Sequence, residues 1–248
     1  MARFFFIGLG QFLTFAATVL TILVNMGQLT QNVVARHFWF AQVETTGLGD
    51  TLGSNAGSLY ASNQAAAELQ NQGLKYNYYW GMYSFCGGAG TDENRDCSDR
   101  YIGYRWEPTT VLVRDAPTTA SAQLQNLFNT SDGSFANVNY LGMLSRVANV
   151  IILVGTILSG LAWLTGFLAH RFCFAFAALE ALGAAGCLGV GAALWTAILY
   201  KARNSIPDNS GLVINYGNSL WMTWAAFAAV VLAIIPLIIG CCLGRSKY

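Results

Sequence analysis

Cys86 and Cys97 are the residues whose type and spacing most directly indicate chemistry, because they lie 11 positions apart in a polar segment. Such a pair could hold a metal ion or form a disulfide. A metal site would need further ligands, and His37 is remote and alone. We predict a disulfide, since we expect the segment to lie outside the cell, where disulfides persist. Closing so short a loop would stabilise the fold by about 3 kcal/mol.

Glu180 is the second candidate, because it is the one acid inside a long apolar run. A charged side chain inside a membrane span costs about 2.5–3.5 kcal/mol on insertion scales and is a functional candidate by default. Its role could be ion or proton handling, or contact with lipid or a partner. A structural hydrogen bond to a neighbour on the preceding span, such as Thr156, Ser159 or Trp163, is the alternative that we favour, because transporters usually have more polar positions or broken helices. Access of water from the cytoplasm is a second structural explanation.

No catalytic constellation accompanies these residues. His37 and His170 have no arrangement of Ser, Cys or Asp around them, and the sequence has no nucleotide-binding loop, metalloprotease motif or nucleophile elbow. The acidic residues between the two cysteines fit no EF-hand spacing and indicate a solvated turn. The net charge of +1 gives no reason to expect a nucleic-acid partner. We therefore expect a protein that is not an enzyme, with no catalytic residue, no metal and no cofactor.

The elements that must position these residues follow from composition. Hydrophobic residues make up 54% of the chain and charged residues 10%, whereas soluble domains carry about 25% charged residues. Four long apolar runs occupy residues 4–26, 147–169, 172–200 and 220–243. Each exceeds the roughly 20 residues that a spanning helix needs. The first run is longer than a typical signal-peptide core and no clear cleavage site follows it, so we predict four transmembrane helices, the first an uncleaved anchor.

Orientation follows from the charges beside the spans. Arg3, Arg171, Arg245 and Lys247 fall on one side with no acid among them. Short basic flanks belong in the cytoplasm, so we expect a multi-pass plasma-membrane protein with cytoplasmic N- and C-termini. The predicted organisation is an N-terminus and first span at 1–26, an extracellular disulfide-stapled β-rich domain at 27–146, spans at 147–169 and 172–200, a short extracellular loop at 201–219, a span at 220–243 and a cytoplasmic tail at 244–248.

Within 27–146, β-branched and aromatic segments predict strands, and alanine-rich or amphipathic segments predict helices. The predicted strands are 33–43, 74–86, 101–106 and 109–114, the last two separated at Pro108. The predicted helices are 58–72 and 117–128, and 47–58 is a predicted loop. The second span is expected to begin outside the lipid at 140–146.

Three positions are candidates for modification or assembly. Asn129 begins the one Asn-x-Ser/Thr sequon of the chain and is a candidate for N-glycosylation. Cys241 and Cys242, at the cytoplasmic end of the fourth run, are candidates for palmitoylation, or simply two small residues that end a helix. Small residues spaced four apart, at Gly183, Cys187 and Gly191, predict close helix packing or a partner interface.

The block Trp80-Gly81-Met82-Tyr83-Ser84-Phe85-Cys86, followed by Cys97, carries a family resemblance. With the four spans, it resembles the claudin-like tetraspans, whose motif is Gly-Leu-Trp-x-x-Cys and then a second cysteine. Met82 stands where those proteins have Leu, Tyr83 stands for Trp, and Trp39 for a tryptophan earlier in the loop. The sequence is most similar to the fungal SUR-seven/PalI family of claudin-like plasma-membrane proteins, which also has an aromatic-x-Pro segment, here Trp106-Glu107-Pro108.

The resemblance implies a fold and a class of function. The fold is a four-transmembrane-helix bundle with a small extracellular antiparallel β-sheet. The function is that of a non-enzymatic scaffold that organises eisosome-associated plasma-membrane domains. The expected partners are membrane lipids, such as sphingolipid or sterol, other plasma-membrane proteins and further copies of the chain. The alternatives are an accessory subunit of a larger complex, such as a proton pump or cell-wall synthase, and a transporter, channel or pH-signalling component that uses Glu180.

Overall fold

A computed structural model describes residues 2–30, 32–53, 59–61, 73–88, 95–130, 137–167, 171–206 and 210–242. Of residues 2–4, 130, 138, 171–173, 241 and 242 it describes the backbone alone. The elements are α1 (Ala2–Met26), β1 (Ala41–Glu44), α2 (Leu48–Leu52), β2 (Asn77–Trp80), β3 (Phe85–Gly88), β4 (Asp96–Cys97), α3 (Pro108–Asp115), α4 (Thr118–Thr130), α5 (Val138–Gly166), α6 (Arg171–Ser205), β5 (Val213–Tyr216) and α7 (Asn218–Cys242). A 3-10 turn covers Ala35–His37.

The chain divides into two units. The helical unit comprises Met1–Asn25, Ala148–Ala193 and Ser219–Tyr248, and the sheet unit comprises Met26–Val147 and Leu194–Asn218. Helices α5 and α6 therefore belong to both units. The sheet unit takes its chain from both of the segments that the sequence places between spans, not from the longer one alone.

The helical unit contains the greater part of each of the four predicted spans. Four helices are long and apolar enough to cross a membrane, over Phe5–Met26, Asn139–Gly166, Phe174–Ser205 and Asn218–Gly240. Large apolar side chains remain exposed along single helix faces, as at Val150, Val154, Ile157, Leu161 and Leu164 of α5. An exposed apolar stripe on a helix long enough to cross a bilayer is what a lipid-facing helix presents. A helix can also satisfy its own backbone polar groups in lipid.

Small residues and short polar side chains join the spans. A Cβ at Gly155 of α5 would lie 2.9 Å from Leu188 Cγ of α6, and one at Gly191 would collide with Ile152. These contacts give the small residues the packing role that their spacing indicates. Asn25 of α1 donates a 2.9 Å hydrogen bond to the Thr156 hydroxyl of α5.

The sheet unit is built on a five-stranded antiparallel sheet with strand order β4-β3-β2-β1-β5. Strand β5 pairs with β1, with Ala41 opposite Tyr216, although the sequence predicts only a loop at 201–219. One face of the sheet, carrying Ala41, Val43 and Ile214, is buried. On the opposite face, Gln42 and Glu44 of β1 are half-buried.

Several predicted elements differ from the structure. The single strand predicted at 74–86 is wrong, because residues 81–84 turn the chain between β2 and β3. The strand predicted at 109–114 is wrong, because Pro108 starts α3 as its first residue, a position where its missing N–H costs nothing. The strand predicted at 101–106 has no regular structure.

Other predictions are met in part. Only the end of the strand predicted at 33–43 belongs to β1, and part of the predicted loop 47–58 forms α2. The helix predicted at 117–128 is confirmed as α4, with Leu124 and Phe128 buried. The start of the second span near 140 is confirmed by α5. Most of the helix predicted at 58–72, residues 89–94 of the predicted acidic hairpin tip, His170 and the tail 244–248 lie outside the described residues.

Candidate interaction surface

The turn at residues 81–84 is held against the chain that follows the first span. The Gly81 N–H donates to the Ser84 carbonyl oxygen at 2.9 Å, and the Ser84 hydroxyl donates to the Gln28 carbonyl oxygen at 2.5 Å. A Cβ at position 81 would collide with the Gly27 carbonyl oxygen. Glycine is therefore required at this position of the motif because another part of the backbone approaches it closely.

Gln28 is a buried polar residue that the sequence did not single out. It has a positive φ of 56°, which is uncommon for a residue other than glycine. Its backbone N–H donates to Ala35 O at 2.9 Å, and its amide donates to Arg36 O at 3.0 Å and Phe38 O at 3.2 Å. Gln28 therefore ties the end of α1 to the 3-10 turn and the β2–β3 hairpin.

The aromatic residues of the motif form the buried core of the sheet unit. Trp80 is fully buried and stacks on Tyr78 and Phe85, with ring centroids 5.8 and 5.7 Å away. Trp106 packs edge-on against Trp80, with ring centroids 6.4 Å apart. It also contacts Trp195 of α6, which stacks on Phe40 at 4.8 Å. These rings are interior packing and present no surface of their own.

The segment Trp106-Glu107-Pro108 fastens helix α3 to the start of α5. The Trp106 N–H donates to the Ser145 hydroxyl at 2.8 Å. Gly142 leaves room for Glu107, since a Cβ at Gly142 would lie 2.6 Å from Glu107 Oε1. Pro108 then begins α3. The motif's aromatic-x-Pro is thus a docking segment between two helices of the sheet unit.

Cys86 and Cys97 form the predicted disulfide. They lie opposite each other on β3 and β4, on the sheet face opposite to Trp80. On the same face, Tyr79 is covered by the Arg95 guanidinium, 3.8 Å from its ring centroid, and by the Trp39 ring at 5.0 Å. Arg95 also donates to Arg36 O at 3.0 Å. The disulfide and this cation–π contact close one end of the face.

The remainder of that face is the candidate surface, which we call the open face: Gln42, Glu44, Asn77, Val213 and Asn215. Gln42 pairs with Asn215 across β1 and β5 and donates a 3.0 Å hydrogen bond to the Asn77 side chain. The two carboxamides of Gln42 and Asn215 are half-buried. Such a face presents donors and acceptors on a rigid backbone, which suits recognition of another protein.

Burial raises the pKa of several tyrosines in the sheet unit. Burial raises the pKa of Tyr78 well above its ordinary value, and burial also raises the pKa of Tyr60, Tyr83 and Tyr104. These phenols therefore stay protonated at neutral pH. Among the residues that the structure describes, no group of three or more His, Cys, Asp or Glu side chains could hold a metal ion.

Comparison with known proteins decides the family. A model of the SUR7/PalI family matches residues 6–236. The chain belongs to the SUR7/PalI family. It is a multi-pass membrane protein with a claudin-like fold of four spanning helices and a small disulfide-containing antiparallel sheet. A search of curated proteins found no match.

Within this SUR7/PalI protein, Glu180 lies on α6 and is half-buried. The Thr165 hydroxyl of α5 donates a 2.7 Å hydrogen bond to its Oε2. The preceding span thus supplies the bond, as the structural alternative expects, and the donor is Thr165 rather than one of the three residues given as examples. Thr156 instead bonds to Asn25.

The remaining candidate positions lie apart from the motif in the sequence. Asn129 is exposed near the end of α4, on the rim of a groove of about 580 Å³ between α3 and α4. The next two residues of its sequon have side chains outside the described part. Cys241 and Cys242 end α7, and their side chains are likewise outside it. Palmitoylation and glycosylation stay predictions.

Proposed function

We propose that this SUR7/PalI protein is a non-enzymatic organiser of a plasma-membrane domain, with its sheet unit outside the cell and both termini in the cytoplasm. The observation that carries the proposal is the burial of the motif. Trp80, Gly81 and Trp106 are fully or almost fully buried, and Cys86 is joined to Cys97. The motif residues therefore form a rigid core, and we expect the exposed surface of the sheet unit, rather than the motif itself, to contact other molecules.

The proposed orientation is supported by charge and by redox chemistry. Arg3 and Arg171 lie next to the first and third spans, on the side that we assign to the cytoplasm. A disulfide persists in an oxidising compartment and is rare in the cytosol. Both observations support an extracellular sheet unit.

The open face is the proposed site of contact with other plasma-membrane proteins or with further copies of the chain. The carboxamide side chains of Gln42, Asn77 and Asn215 make this part of the open face polar but uncharged. A charged side chain placed at its centre would leave an unpaired charge in any contact that covers it, which is costly. Membrane lipids, including sphingolipid or sterol, are the proposed ligands of the apolar helix faces.

Imaging of the full chain with a fluorescent tag in fungal cells tests the proposal. The wild-type protein should form stable patches at the plasma membrane. Gln42→Lys with Asn215→Lys should disperse the patches while the protein still reaches the surface. The matched control is Thr119→Lys with Gln123→Lys, two exposed positions on α4, which should leave the patches unchanged. A wild-type signal spread over internal membranes would contradict the proposal.

Native purification separates the organiser from the accessory subunit. Variable association with several membrane proteins is expected for an organiser. A fixed stoichiometry with one large pump or synthase would instead identify an accessory subunit. Loss of that association in the double-lysine variant, but not in its control, would show that the open face makes the contact.

A further inference from the structure

The loop between β4 and α3 exposes two large side chains. Tyr101 is 52% exposed and Ile102 is 69% exposed. The loop is nevertheless held in place, since the Tyr101 N–H donates to the Tyr83 carbonyl oxygen at 3.1 Å. The Tyr101 ring also packs against the buried Tyr104, with ring centroids 4.8 Å apart. The structure therefore holds the side chains of Tyr101 and Ile102 in an outward position, where they do not contribute to the buried core of the sheet unit.

Gly103 seats this loop on helix α5. Its φ of +73° favours glycine. A Cβ at this position would lie 3.1 Å from Cγ and 3.3 Å from Nε of Arg146. The turn therefore rests on the stem of the Arg146 side chain, and the loop and this arginine form one local structure.

Arg146 lies on the exposed stripe of α5. Met143 and Val150 are exposed three positions before and four positions after Arg146, which places them on the same helix face as Arg146. The stripe continues as the apolar face that we assign to lipid. From Arg146 to the end of α5 at Gly166 the helix extends about 30 Å at 1.5 Å per residue. That length matches the hydrocarbon thickness of a bilayer, so Arg146 belongs at the boundary between hydrocarbon and headgroups.

The charges of this region fit a phospholipid headgroup. Arg100, Arg105 and Arg146 are exposed. Arg105 lies 3.6 Å from a Glu107 oxygen, whereas no ion pair in the described part of the chain includes Arg100 or Arg146. Arginine recognises phosphate with several donors at once. Tyrosine is enriched at membrane interfaces because its ring is apolar and its hydroxyl is polar.

We propose that residues 100–105 together with Arg146 form a phospholipid-binding element. Tyr101 and Ile102 enter the headgroup region of the leaflet, and the Arg146 guanidinium binds a lipid phosphate. Continuity with the exposed apolar stripe along α5 itself favours a lipid over a protein partner.

The position of Ile102 can be measured with a nitroxide. A keto amino acid replaces Ile102 in the full chain and is labelled with the nitroxide. This chemistry does not react with thiols, so the native cysteines can be kept. The protein is studied in phosphatidylcholine nanodiscs, and collisions with oxygen and with a nickel chelate are compared. The label at 102 should collide with nickel several-fold less than the same label at the exposed Thr119. Equal nickel accessibility of the labels at positions 102 and 119 would overturn the proposal, and it would leave the loop free to contact a protein partner instead.

The phosphate contact needs a second comparison. In bilayers of digalactosyl diacylglycerol, which lack phosphate, the protection of the label at 102 should weaken. Arg146→Gln should remove the difference between the two bilayers, and Arg146→Lys should restore part of it. Arg114→Gln, an exposed arginine on α3, should behave as wild type. Equal protection in both bilayers in the wild-type protein would overturn the phosphate contact.

Discussion

Cys86 and Cys97 face each other across strands β3 and β4, with their Cα atoms 4.0 Å apart. Strand β4 contains two residues, Asp96 and Cys97, and so has few ladder hydrogen bonds. The covalent bond therefore restrains this edge of the sheet together with the hydrogen bond of 2.9 Å from the Ser98 N–H to the Phe85 carbonyl oxygen.

Replacing both cysteines by serine should lower the free energy of unfolding of the sheet unit by about 3 kcal/mol, because the bond restricts the unfolded chain. Thermal unfolding in nanodiscs, followed by near-UV circular dichroism, measures the change. Cys187→Ala in α6 is the control, since Cys187 is a free cysteine, and a reductant should still destabilise it. Equal stability of the wild-type protein with and without reductant would contradict this expectation.

Gly81→Ala should destabilise the sheet unit by about 1–3 kcal/mol, the usual cost of overpacking. The added methyl group would meet the Gly27 carbonyl group and the Cβ of Gln28, two residues of the segment that passes beside the turn. Gly186→Ala is the matched control, because a Cβ there has no neighbour within 4 Å. Chemical denaturation of the two variants gives the comparison. If both lose the same stability, the close approach at Gly81 is not what requires glycine.

The buried phenols predict a loss of stability at alkaline pH. The pKa of Tyr78 and that of Tyr104 are raised by burial, whereas tyrosines of the unfolded chain ionise near pH ~10. The stabilising contribution is thus complete below the unfolded pKa and declines as pH rises above it. Denaturation between neutral and alkaline pH, with tyrosinate absorbance as a second signal, measures this decline.

Tyr78→Phe isolates one part of the alkaline effect. At neutral pH it should cost about 1 kcal/mol, because the Tyr78 hydroxyl donates a 3.0 Å hydrogen bond to the Asp115 carboxylate. Above the unfolded pKa its stability should fall less steeply than that of the wild type. Tyr101→Phe is the control, since Tyr101 is exposed. An unchanged slope in Tyr78→Phe would assign the alkaline loss to other groups.

Glu180→Gln should leave both stability and ion flux close to wild type, because glutamine retains an oxygen that accepts from Thr165. Thr165→Val should instead cost about 1 kcal/mol by removing the donor. Thermal unfolding and flux in proteoliposomes test the two variants together. A flux present in the wild type and abolished by Glu180→Gln would support the transporter alternative over the structural role.

Three features could be predicted from local sequence. Runs longer than about 20 apolar residues have few stable states other than a spanning helix. The cysteine pair lies in one hairpin, and α4 has an apolar face within its own segment. In each case the deciding information is contained in neighbouring residues, so the prediction does not depend on the rest of the fold.

The remaining features required contacts between distant parts of the chain. Residues 74–86 look like one aromatic strand, but Gly81 becomes a turn because Gly27 and Gln28 pass beside it. The second interspan segment carries a short β-branched and aromatic run at residues 212–216, between two glycines, which is a local strand signal that the prediction of a loop overlooked. Only the tertiary structure shows that this strand, β5, completes the sheet by pairing with β1. The sequence offers several polar residues on the preceding span that could bond to Glu180, and the packing of α5 against α6 brings Thr165 to it.

The sequence by itself determined the four spans, the cysteine staple and the family, because composition, spacing and a short motif are properties of contiguous residues. Tertiary structure decided where the motif's side chains point and what remains exposed. Trp80 and Trp106 went to the interior, whereas Gln42, Asn215 and Ile102 stayed at the surface. The physical reason is that strand register and helix rotation, which choose the buried face, are fixed only when residues far apart in the chain pack together.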